Sequence, residues 1–287
     1  MPLPRRQSLI VAAALGGAIA LMYAGVLSSL IRQWASDDNY SHGFFVLPLA
    51  AYFAWERRSA LENAMPRPSA LGLVIIIGSL IVWAAGLLGS ELFLTRVSMI
   101  GVIAGATLFV WGWRHLRILA FPILFLLLMI PLPAIIFNQL AFPLQLFASR
   151  VGESVIATAG IPVLREGNVL HLPGNTLEVA EACSGIRSLV SLVMLGIVLG
   201  YFTGQRAGGR LLLALAAIPI AIVANAARVA GTALAAEWIS PRAAQGFFHT
   251  FSGWLMFVVA FIGLLLVQQV IARLGERRGR PALARVA

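Results

Sequence analysis

The stretch EVAEACSGIRSLV, Glu178 to Val190, runs with only Ser191 between into LVMLGIVLGYF, Leu192 to Phe202. The second run has no polar face, so it reads as a helix in a bilayer rather than on a wet surface. The first carries Cys183, the only cysteine among 287 residues, at the mouth of that helix. Ser184 and Gly185 follow it, and Arg187 stands four residues on. A cysteine here has two readings. It is a small apolar filler of a membrane core, or it is a nucleophile, its thiol lowered from about 8.5 by a helix N-terminus and a neighbouring arginine.

Composition sets the frame. Hydrophobic residues make up 60% of the chain and charged residues 11%, with mean hydropathy +0.91, which excludes a soluble globular protein. The formal charge of +10 comes from 21 basic residues, all arginine. They flank apolar runs, so topology and anionic lipid headgroups explain them, and no nucleic-acid partner is expected. One cysteine allows neither an internal disulfide nor a Cys-x-x-Cys site.

Apolar runs at 8–31, 42–55, 70–90, 95–113, 117–137, 184–203, 210–236 and 250–272 predict an all-α polytopic membrane protein of about eight spans, one integral-membrane domain over 1–287. Arg5 and Arg6 before the first run mark an uncleaved anchor. With the N-terminus inside, fourteen arginines fall on the cytoplasmic side, in the segments before 8, at 57–67, 114–117 and 206–210, and from 273 on. The other side takes seven arginines but eight of the eleven acids. Positive-inside bias therefore puts both termini in the cytoplasm, with a basic tail at 273–287.

That orientation leaves one long external connection, 138–183. Residues 138–158 have mixed polarity and predict a helix lying at the interface. Two alternating runs around Pro173-Gly174-Asn175 predict a small β-hairpin whose second strand leads directly into Cys183.

Two further stretches carry chemistry. VANAARVAGTAL, Val223 to Leu234, puts Arg228 well inside an apolar run, roughly 12 Å from the expected outer end of its helix. An arginine there costs about 2.5–3.5 kcal/mol on insertion scales and faces a cavity or a partner. Asn225 shares its face. Structural bonds to backbone carbonyls or to Glu237 are the alternative. FFHTFSGWL, Phe247 to Leu255, opens the last span from the outside with His249. His42 and His171 also fall outside, whereas His115 is cytoplasmic and reads as an interface anchor. The residues do not rank the three external histidines. A thiol, an arginine and a histidine at one face match acyl transfer: thiolate attack, oxyanion stabilisation, and protonation of the leaving amine. No metal site and no cofactor are expected, the ligand count being too low.

EACSGIRSL, NAARVAGT and HTFSGW resemble three motifs of the exosortase/archaeosortase family, and NYSHGFFVLPLAAYFAW at 39–55 resembles its early segment. The resemblance covers nearly all of residues 38–272. It implies a membrane cysteine protease/transpeptidase acting on exported proteins that end in a sorting tail: a short motif (Pro-Glu-Pro in the commonest type), an apolar helix and an arginine cluster. It implies Cys183 as nucleophile, Arg228 as oxyanion or thiolate stabiliser, and His249 as acid/base. Ser184, Arg187, Asn225, His42 and His171 become supporting or substrate-binding residues, with Arg187 or Arg165 pairing an acidic motif residue. The expected setting is the cell inner membrane, with the site on its outer side and lipids as the other partners. A transporter or flippase, or a scaffold for envelope polysaccharide export, is the competing class. The sequence carries no sign of oligomeric state.

Overall fold

Residues 71–88 hold no charge, and in the computed structural model they form a straight helix whose Val74, Ile77 and Ile81 face outward. Apolar side chains exposed all round a helix are a lipid-facing surface. The structure describes residues 5–173, 176–179, 185–205, 207–239 and 246–279, without the side chains of 5, 6, 8, 9, 246–250 and 275–279. Packing within what the sequence marks as one membrane domain divides the chain into two compact units, 1–134 and 135–287.

The first unit holds α1 (Arg5–Met22), α2 (Ala24–Ser36), α3 (Gly43–Glu56), α4 (Arg58–Glu62), α5 (Leu71–Leu88), α6 (Leu92–Trp111) and α7 (Trp113–Phe125). α5 and α6 pack closely along their length, and the contact is made of small residues, as membrane helices require. A Cβ on Gly105 would lie 3.0 Å from the Gly72 carbonyl oxygen and the Ile76 nitrogen. The run 8–31 is not one straight helix. It breaks at Tyr23 with a bend of 71° between α1 and α2. Tyr23 is fully buried, shares a 3.0 Å hydrogen bond with Ser98 Oγ and meets the edge of Trp83. The expected span 42–55 is the 14-residue α3, about 21 Å long. The expected span 117–137 is interrupted: α7 gives way to a 3-10 turn at Leu126–Met129, and residues 130–133, with Pro131 and Pro133, leave the helix.

The second unit holds α8 (Ala134–Thr158), strands β1 (Leu164–Glu166), β2 (Val169–His171) and β3 (Thr176–Glu178), then α9 (Ile186–Phe202), α10 (Ala207–Trp238) and α11 (Gly246–Gly279). α8 takes in the expected interfacial helix. The sheet is antiparallel in the order β1-β2-β3. β2 and β3 pair antiparallel on either side of the expected turn, whose Gly174 and Asn175 lie outside the described residues, and β1 adds a strand in front, joined through Gly167-Asn168 with Gly167 at φ 64°. β3 covers Thr176–Glu178, and residues 180–184, the expected approach to Cys183, lie outside the described residues. Val179 still donates its N–H to the Asn168 carbonyl at 2.9 Å. Leu170, fully buried, anchors the sheet among Ala148 and Ile156 of α8 and Val229 and Ala233 of α10.

Among the described residues, four helices are long and apolar enough to cross a membrane: α5, α6, α10 and the 251–274 part of α11. Counting α1 with α2, and 113–129 with 134–158, as broken spans makes six. The chain is a multi-pass, mostly helical membrane protein with a small sheet.

Candidate active site

In the second unit the site is built around one face of α10. Asn225 and Arg228 are three residues apart and so share that face. Asn225 is buried at 6% exposure in a helix that is otherwise apolar here. Its side chain fills the space beside Gly185, where an added Cβ would sit 2.7–3.0 Å from Asn225 atoms. Gly185 caps α9 in a left-handed conformation at φ 80°, a geometry costing other residues about 1–2 kcal/mol. Two independent demands therefore fix glycine at this position: the backbone angle and the close approach of α10. The loop end carrying the Cys-Ser-Gly motif is thus seated on the Asn of the Asn-x-x-Arg motif.

One turn further along α10, the half-buried Arg228 turns toward α11. Its Nε donates to Ser252 Oγ at 3.4 Å. A Cβ on Gly253 would stand 3.1 Å from the guanidinium carbon, so Arg228 lies directly over the α11 backbone. Ser252 and Gly253 belong to the His-Thr-Phe-Ser-Gly-Trp motif, three and four residues after His249. Arg228 lies ten residues before the end of α10 at Trp238, roughly 15 Å of rise. Its guanidinium, with five donors, thus lies at the contact between α10 and the start of α11.

Cys183 and Ser184 lie outside the described residues. His249 belongs to α11, and its side chain likewise lies outside them. Arg187 is the second residue of α9 and half-buried. His171 sits on the sheet, its Nδ1 3.3 Å from Thr176 Oγ1 and its Nε2 3.5 Å from Glu166 Oε2, so it ties the hairpin together. His42 belongs to the first unit, where it is buried and its Nε2 donates to the Leu128 carbonyl at 3.1 Å. Arg165 is already engaged: its Nε meets Glu153 Oε2 at 2.8 Å, and its Nη1 donates to the Gly167 carbonyl at 2.9 Å.

Sequence reading passed over three residues. Ser252 and Gly253 lay within the quoted His motif, and their spacing from His249 was the signal. Arg96, counted with the external arginines, is a core residue of α6 at 3% exposure, its Nη2 donating to Ser29 Oγ at 3.1 Å. The sign was its place one residue inside an apolar run.

A family model described as transmembrane exosortase matches residues 34–266. No curated protein and no solved structure matches the chain. The matched segment spans both units and all three motifs that meet on α10. The chain belongs to the transmembrane exosortase family.

Proposed function

We propose that this protein is a membrane cysteine protease/transpeptidase that removes C-terminal sorting tails from exported proteins. The observation that carries the reading is the seating of two motifs on a third. Gly185, two residues after Cys183, packs on Asn225, and Arg228 packs on Ser252 and Gly253, just after His249. The Cys183 thiolate attacks the scissile carbonyl carbon, and Arg228 holds the oxyanion. As the intermediate collapses, the C–N bond breaks and the leaving amine takes a proton from His249. The acyl group is left as a thioester on Cys183. Water or an amine then attacks that thioester, gives its proton to His249, and releases the thiolate. The chain needs no metal or cofactor for these steps.

The distribution of arginine supports an inner-membrane setting with the site on the outer face and both termini inside. A substrate tail with an apolar helix and terminal arginines would lie alongside in the same orientation, its short motif at the level of the site. Arg187 is our candidate for contact with an acidic motif residue; Arg187→Ala leaving an acidic-motif substrate fully processed would remove it from that role.

The test is to coexpress a tailed substrate with wild type, Cys183→Ala and Cys183→Ser and follow tail loss by mass. Both variants should leave the tail on. Equal processing in all three would overturn the enzyme reading, and it is the outcome a transporter or scaffold requires.

A further inference from the structure

The first unit holds a partly open cavity of about 850 Å³ that the chemistry above does not use. On one side it is lined by Ala12, Gly16 and Ala20 of α1, one small residue per turn. On the other side run Met99, Ile103, Ala106 and Trp111 of α6. From Met99 to Trp111 is twelve residues, roughly 18 Å of helix, close to the ~15 Å hydrocarbon depth of one leaflet. The lining is apolar along this length and turns polar at the Trp111 end, where Glu62, Asn63 and His115 join it. His115 is 6% exposed, and its Nδ1 has no hydrogen-bond partner. A buried nitrogen left unpaired at a cavity mouth is costly unless a ligand meets it.

Charge at that mouth selects the ligand. Arg114 and Arg117 adjoin His115 in the chain; both are exposed and lie outside the cavity lining, where a headgroup projecting from the mouth would meet them. Arg67 is exposed too, and its N–H donates to the Trp111 carbonyl at 3.0 Å, which fixes it at the same end. Three arginines against Glu62 favour an anionic head. We infer that this cavity is a lipid site, taking one acyl chain of an anionic phospholipid along α6 with the phosphate headgroup at His115, Arg114 and Arg117. Ala12, Gly16 and Ala20 leave room on the α1 side, between Leu15 and Ile19, which also line the cavity. A Cβ on Gly16 would meet nothing within 4 Å.

Native mass spectrometry of the full chain, exchanged into phosphatidylglycerol or phosphatidylcholine, tests this. Wild type should retain one phosphatidylglycerol through delipidation, at least ten-fold more than phosphatidylcholine. Gly16→Leu and Ala20→Leu fill the cavity and should lower that occupancy at least ten-fold. Gly17→Leu is the matched control: it also has open space but does not line the cavity, and it should retain the lipid. Arg114→Gln with Arg117→Gln should erase the preference for phosphatidylglycerol while one lipid still binds. Thermal midpoints of all variants report folding. Undiminished lipid in a folded Gly16→Leu chain, equal loss in Gly17→Leu, or no head preference in wild type would each overturn the assignment.

Discussion

Gly253 is the residue at which position and chemistry separate most cleanly. Alanine there brings a Cβ to 3.1 Å of the Arg228 guanidinium, so the arginine must shift by a few tenths of an ångström. Inside a helix the same change favours folding by up to about 1 kcal/mol. Gly253→Ala should therefore hold or raise the thermal midpoint while tail processing falls about ten-fold, near 1.4 kcal/mol of transition-state stabilisation. A variant that processes normally would mean that Arg228 does not need this seat. Gly185→Ala should behave differently, because the left-handed backbone and the Asn225 contact both oppose a side chain. It should lower the thermal midpoint and the processing rate together, and an unchanged midpoint would show that the loop relaxes away from α10. Arg228 itself was legible in the sequence because an arginine in an apolar run needs a reason. Its partners Ser252 and Gly253 were not, since hydroxyls and glycines are common in membrane helices and only the fold shows which of them an arginine touches.

At the level of elements, the small sheet illustrates what pattern reading can and cannot deliver. The hairpin around 173–175 was visible from alternation and a Pro-Gly-Asn turn. Strand β1 was missed although Gly167-Asn168 is itself a two-residue hairpin signal, because three residues are too few to show a period. The break after α7 also had its sign in Pro131 and Pro133. The bend at Tyr23 had none: neither Gly nor Pro occupies it, and burial of the Tyr23 ring beside Trp83 and Ser98 sets it. The sheet holds to the helices through Leu170, whose fully buried side chain shares a core cluster with Ala148 and Ile156 of α8 and with Val229, the residue after Arg228 on α10. Leu170→Ala should cost roughly 2–5 kcal/mol, whereas Leu164→Ala, at 60% exposure on the same sheet, should stay within about 0.5 kcal/mol. Thermal unfolding in detergent distinguishes them. Equal midpoints would mean that the sheet is not part of the core that steadies α10.

For the whole molecule, which face holds residue 183 relative to the tail depends on how many times the chain crosses the bilayer after it, and α9 decides that. Its 17 residues rise about 26 Å, at the lower limit for a ~30 Å core. Composition argues that it crosses, because Arg206 and Arg210 stand between α9 and the apolar part of α10, while Glu237 lies in the last turn of α10 and arginines cluster from Arg273 to the end of the chain. Those charges alternate sides only if α9, α10 and α11 all span. Three crossings place residue 183 and the tail on opposite faces, whereas a re-entrant α9 leaves two crossings and puts both on one face. The sequence supplies the probe, since Cys183 is its only thiol. A membrane-impermeant maleimide applied to intact spheroplasts should label wild type at Cys183. A Cys183→Ala chain carrying Ala282→Cys should take the label only after permeabilisation. Label on both thiols in intact spheroplasts would mean that α9 turns back, and Arg206 and Arg210 would then sit on the outer side beside the candidate site.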